Sequence, residues 1–176
     1  MKRISVRELT LAAVVGAIYV VLGYFGNIFN LTFGAVQCRF SEALTVLPFL
    51  NPVTTWGVFV GCVITNILSP YGALDMIFGS AATLIAAVLT ARCKKRWLAP
   101  LPPVVCNAVI VGAEIAFVQA GNAEAFLPAY AMNALTVGLG ELIACGLLGS
   151  VLLELLPRSS FFRRLDLIKM GSENRC

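Results

Sequence analysis

Residues 9–29 run without a single charged side chain. At a helical rise of 1.5 Å per residue they span about 30 Å, the thickness of a bilayer's hydrocarbon core. Five more apolar stretches follow at 41–50, 53–68, 73–91, 100–120 and 127–156, broken only by isolated acids. With 59% hydrophobic and 12% charged residues and a mean hydropathy of +0.89, the chain lies far from soluble domains, of which about a quarter is charged. The first stretch is too long for the apolar part of a signal peptide and has no convincing Ala-x-Ala cleavage pattern, so it is read as mature structure. The chain is expected to be an all-α membrane protein, with six transmembrane helices in a compact bundle inside the lipid bilayer.

The cations fix an expected orientation. Of 13 Lys and Arg residues, only Arg39 lies outside three clusters. These are built on Lys2, Arg3 and Arg7, on Arg92, Lys94, Lys95 and Arg96, and on Arg158, Arg163, Arg164 and Lys169, the last running on to Arg175. Basic residues flanking spans favour the cytoplasmic side, which predicts cytoplasmic N and C termini and an even number of crossings between successive clusters. Four spans between Arg7 and Arg92 satisfy that parity only if residues 41–68 form two helices. Pro48 and Asn51-Pro52 supply the break, because proline removes a backbone donor and its predecessor avoids the helical region. Residues 121–126 are expected to form an outer loop. The domain division is then 1–157 as the membrane bundle and 158–176 as a basic cytoplasmic tail. The net charge of +4 reflects basic ends facing anionic lipid, not a nucleic-acid surface.

Polar groups inside the spans are the candidate functional residues. A charge within the bilayer needs a partner or a polar cavity. Arg39 does not fit the topology pattern, and ligand contact is the leading reason for it. Glu42 and Asp75 open helices, where acids also suit the dipole. Glu114, seven residues after Asn107 on one face, and Glu141, mid-span and eight residues after Asn133, have no such excuse; the alternative is a protonated acid in an interhelical hydrogen bond. Together they predict an outward-opening pocket with several carboxylates and one guanidinium. Such a pocket suits a ligand rich in N–H donors, for example a guanine-like edge, which a carboxylate accepts in a bidentate manner. A ligand carbonyl would need a donor from Arg39, Asn66, Asn107 or Asn133, and Phe33, Phe40 and Tyr71 are candidates for stacking.

The first helix carries two small-residue pairs, Ala12-x-x-x-Gly16 and Ala13-x-x-x-Ala17, which permit close approach of another helix, within the bundle or from a partner. The chain has no histidine and no C-x-x-C pair, so neither a metal nor a cofactor is expected, and the cysteines are read as small hydrophobes. No G-x-x-x-x-G-K-[ST] loop is present, so the chain is not expected to use ATP itself. With no nucleophile–base pair, it is not expected to be an enzyme.

The stretch Gln37-Cys38-Arg39-Phe40-Ser41-Glu42-Ala43-Leu44-Thr45-Val46-Leu47-Pro48 resembles the signature of the QueT family of queuosine-precursor transporters. So do Asn66-Ile67-Leu68-Ser69-Pro70-Tyr71-Gly72-Ala73-Leu74-Asp75, Leu101-Pro102-Pro103-Val104-Val105-Cys106-Asn107-Ala108 and Gly138-Leu139-Gly140-Glu141-Leu142-Ile143-Ala144. The likeness runs in order from about Leu9 to Leu156. Cys38 stands where an aromatic residue is expected, which argues against stacking there. The resemblance implies a substrate-binding S component of an energy-coupling factor (ECF) transporter, a six-helix fold without a continuous pore. It implies a membrane coupling subunit, which would meet the groove of Ala12, Ala13, Gly16 and Ala17, and two cytoplasmic ATPases in the plasma membrane assembly. The implied ligands are deazaguanines: aminomethyl-deazaguanine (preQ1), its cyano relative (preQ0) or queuine. Two alternatives stay open, a stand-alone proton-coupled transporter using Glu114 and Glu141 and a structural or signalling membrane subunit.

Overall fold

The computed structural model describes residues 5–29 and 39–159, and these form six helical segments without a strand. Lys2, Arg3, Phe33, Cys38 and the tail beyond residue 159 lie outside the described residues. Helix α1 is Val6–Ile28. It begins at a capping box in which Glu8 N–H donates to Ser5 Oγ (3.2 Å) and Ser5 N–H donates to the Glu8 carboxylate (2.8 Å), satisfying two of the free donors at a helix start. Helix α2, Phe40–Phe49, is wound as a 3₁₀ helix. Helix α3 is Thr54–Asn66. Helix α4, Asp75–Ala91, opens with a π turn over Asp75–Gly79. Helix α5 is Leu101–Gln119. Helix α6 is a helical run over Ala123–Arg158 whose middle, Leu142–Gly149, is π-helical.

The expected break between the second and third helices is present. Pro48 lies in the last turn of α2, and Asn51 turns the chain by accepting from Val53 N–H through Oδ1 (3.1 Å) and from Thr54 N–H through its carbonyl (3.0 Å). Among the described residues three helical runs are long and apolar enough to cross a bilayer, Val6–Ile28, Arg96–Gln119 and Ala123–Arg158; α2 and α4 are shorter apolar helices. One expectation needs correction. The loop expected at 121–126 is nearly absent, because Asn122 caps α6 by accepting from Ala125 N–H (2.8 Å) and draws Glu124 into the first turn.

The short helix α2 is the centre of the bundle. Ser41 through Pro48 are all buried, and α2 touches each of the other five helices. A 3₁₀ helix rises about 2.0 Å per residue against 1.5 Å for an α-helix, so ten residues reach about 20 Å through the core. Its apolar side joins Val15, Val58, Cys62 and Leu153 in the main core cluster.

Helices α1 and α3 cross at backbone contact. A Cβ on Gly57 would overlap the Ala12 carbonyl oxygen, and one on Gly16 would lie 2.9 Å from the Gly57 carbonyl oxygen. Ala12 and Gly16 therefore face α3, while Ala13 and Ala17 face outward. The two small-residue pairs differ in exposure: Ala12 and Gly16 are buried against α3, Ala13 and Ala17 are exposed, and all four line an open groove with Trp56, Val60 and Ile64.

Candidate functional site

Arg39, immediately before α2, is 4% exposed and reaches across to the start of α4. Its Nη2 donates to Asp75 Oδ2 (3.1 Å) and Oδ1 (3.4 Å), a buried ion pair. The π turn beginning at Asp75 folds the carboxylate back over Gly79, where a Cβ would overlap Oδ1. Glycine is thus required at Gly79 for this placement. At the end of α3, Asn66 Nδ2 donates to the Asp75 carbonyl (3.0 Å), with Ser80 Oγ and Cys62 Sγ each at 3.4 Å.

A second group forms around Glu42, fully buried in the first turn of α2. Its Oε1 accepts from the Tyr19 hydroxyl of α1 in a short hydrogen bond and from Thr83 Oγ1 of α4 (3.2 Å). On α6, Glu141 Oε1 accepts from Asn107 Nδ2 of α5 (2.9 Å). The Cys145 thiol lies 3.2 Å from Glu141 Oε2, 3.1 Å from the Glu42 carbonyl and 3.3 Å from Thr45 Oγ1. With a single S–H to donate, it serves one oxygen acceptor at a time. Glu42 N–H donates to the Arg39 carbonyl (2.9 Å), so the two groups adjoin.

The remaining candidates divide. Glu114 on α5 is 7% exposed and lies in the wall of a flank cavity. Tyr71, in the connection between α3 and α4, packs against the small apolar cluster of Ala82, Val111, Ile115 and Val137, and burial followed by the Asp75 carboxylate pushes its phenol above the ordinary value. Asn133 does not join the cluster: its Nδ2 donates to Gln119 Oε1 (2.8 Å) and the Ala129 carbonyl (2.9 Å), and these bonds use both of its hydrogens.

The reading by charge missed Tyr19, Thr83 and Cys145. Tyr19 had a usable signal, because a phenol deep in an apolar helix needs a partner for its hydroxyl. The threonine and cysteine had none, and Cys145 departs from the small-hydrophobe reading by adjoining two acids. Glu42, Glu141 and Cys145 each offer a ligand atom within 4.8 Å of the others, a set able to hold a divalent cation. Hydrogen bonds from Tyr19, Thr83, Asn107 and Cys145 already occupy three of the four carboxylate oxygens in that set.

What the arrangement has in excess is acceptors. Ser41 Oγ, Glu42 Oε2, Asn107 Oδ1 and both oxygens of Glu114 are buried without a hydrogen-bond partner among the described residues. Each such atom costs about 1–3 kcal/mol. Arg39 is the only buried cation among the described residues, and residues 30–38 contain no Lys or Arg.

The chain matches the QueT transporter family over residues 9–158. It belongs to that family. It is also similar to the queuosine precursor transporter QueT of Lactococcus lactis subsp. cremoris, 33% identical over 85 residues, which make up 48% of this chain and 50% of that protein. The alignment thus spans about half the length of the curated relative. No solved structure matches the chain. All four motifs quoted from the sequence lie within the family match, and Arg39, Glu42, Asn66, Asp75, Asn107 and Glu141 come from them.

Proposed function

We propose that the chain is the substrate-binding S component of an ECF-type importer and captures a deazaguanine at the outer membrane face. The observation that carries this reading is the surplus of buried acceptors at Ser41, Glu42 and Asn107. A guanine-type edge presents a ring N–H beside an exocyclic NH₂, which a carboxylate accepts in pairs. Its carbonyl needs a donor, and Arg39 is the charged one at hand. Asp75 holds that guanidinium, and Asn66 anchors the Asp75 backbone through its carbonyl; Tyr71 is assigned to the same end of the site. Asn133, its donors engaged, serves the α5–α6 contact on this reading. Both termini are placed in the cytoplasm of a multi-pass plasma membrane protein, with residues 1–157 as the bundle and 158–176 as the tail.

The deciding experiment is calorimetric titration of the purified chain with preQ1, preQ0, queuine and guanine. One-to-one binding of a deazaguanine in preference to guanine supports capture. A folded chain that binds none of the four overturns it and leaves the proton-coupled alternative, in which uptake needs no ATPase.

The proposed coupling subunit and its two ATPases are tested through α1. Ala13 and Ala17 are exposed beside the open groove, whereas Ala12 and Gly16 are pressed against α3. Ala13→Trp and Ala17→Trp are expected to leave ligand affinity within about twofold, since exposed sites away from special features change stability by about 0.5 kcal/mol or less, and to reduce uptake by cells expressing the full transporter. Gly16→Trp is expected to lose fold and binding together. Uptake undiminished in both outward variants, at normal expression, would remove this face from the partner contact.

A further inference from the structure

Glu114 differs from every other buried acid of the chain. Asp75 has Arg39, Glu42 has Tyr19 and Thr83, and Glu141 has Asn107 and Cys145. Both oxygens of Glu114 are buried without a hydrogen-bond partner among the described residues. The same side chain stands in the wall of a cavity of about 490 Å³ on the flank of α4 and α5, with Phe78, Phe117 and Phe126 among its other walls.

Resting on the deazaguanine reading, we infer that Glu114 is the specificity-determining residue for a ligand arm bearing a protonated amine, which lodges in this aromatic-walled cavity. Three features point to that chemistry. A carboxylate with no cation of its own is the strongest available acceptor for an ammonium, through charge-assisted hydrogen bonds. Phenylalanine rings attract the same ion over their faces, and more strongly where water is excluded. Arg39 is paired with Asp75, and Glu114 forms no ion pair or hydrogen bond among the described residues, so the positive arm meets an acid without a direct partner. Both Glu114 oxygens are closed off in the structure, so on this inference the side chain turns toward the cavity it lines when the arm enters. The volume exceeds what an aminomethyl group fills, so apolar substituents on the amine fit behind it. A nitrile arm has no proton to donate and gains nothing from Glu114. The base edge stays with Glu42 and the ring carbonyl with Arg39, so edge and arm are read by different acids.

The test compares an aminomethyl-deazaguanine with its cyano analogue on wild type, Glu114→Gln and Glu114→Asp. Wild type should favour the amine. Glu114→Gln should weaken the amine by about tenfold or more, as expected for a lost charge-assisted bond, and leave the nitrile within about twofold. Glu114→Asp, which keeps the charge, should restore part of the preference. Equal losses for both ligands, or no loss for either, would overturn the inference. A second probe does not depend on the base: phenethylamine against 2-phenylethanol, read as a thermal shift of the purified chain. An amine-specific shift in wild type that vanishes in Glu114→Gln supports the cation site even where no deazaguanine binds, an outcome that would sink only the capture reading. Equal shifts from amine and alcohol would overturn the site itself.

Discussion

Glu42→Gln is expected to weaken deazaguanine binding by roughly 10- to 100-fold, corresponding to about 1.5–3 kcal/mol for hydrogen bonds to a charged group. The expectation follows from how the two carboxylate oxygens are used. Oε1 is committed to Tyr19 and Thr83, whereas Oε2 is buried with no partner among the described residues. Glutamine keeps the shape but replaces one acceptor by an NH₂ group. With the amide oxygen turned to Tyr19 and Thr83, the NH₂ faces the ligand's own N–H groups, donor against donor. Turned the other way, it meets two hydroxyls that now have to accept. Tyr19→Phe separates these effects, because it removes one donor to Oε1 and leaves Oε2 in place. Its cost to binding should be the smaller, about three- to tenfold, in line with a single neutral hydrogen bond of about 0.5–1.5 kcal/mol. Calorimetry on both variants, with melting curves to establish folding, decides the point. Unchanged affinity in Glu42→Gln would show that the base edge is read elsewhere.

The parts of this arrangement that were legible in the sequence are those that announce themselves by charge or by broken periodicity. Arg39 stood out because no topology rule accounts for it. Glu114 and Glu141 stood out because hydrocarbon tolerates an acid only beside a partner. Pro48 and Pro52 divided one apolar stretch into two helices because a missing N–H is a local property. The winding of those helices was not legible. Whether Phe40–Phe49 becomes 3₁₀, or Asp75–Gly79 and Leu142–Gly149 become π, depends on what the backbone must reach across the bundle, and no residue type specifies it locally. The π turn at Asp75 aims its carboxylate at Arg39, so the ion pair was readable as two charges but not as a contact. Tyr19, Thr83 and Cys145 are neutral, and their value lies wholly in their neighbours. The two small-residue pairs of α1 looked equivalent in sequence. Only the approach of Gly57 separates the packed pair from the open one.

Breaking the Arg39–Asp75 pair from one side is expected to be the most destabilising single change in the polar core. Asp75→Asn removes the counter-charge from a guanidinium that is 4% exposed. Removing one partner of a buried pair typically costs about 3–5 kcal/mol, because the other charge stays buried. Replacing both partners by apolar groups of similar size is often neutral, since the desolvation of two ions is then avoided. Arg39→Met/Asp75→Leu should therefore recover most of the stability lost in Asp75→Asn, as measured by thermal unfolding in detergent. The Asp75 carbonyl still accepts from Asn66 in every variant, so that backbone anchor is common to the series. Ligand affinity should behave differently. With the guanidinium gone, the ring carbonyl of a deazaguanine loses its charged donor, and the restored fold should still bind weakly. A double variant that recovers stability and affinity together would make the pair a scaffold and transfer carbonyl recognition to Asn66 or Asn107. Recovery of stability alone would separate the two duties of Arg39, holding α4 against α2 and presenting a donor to the ligand.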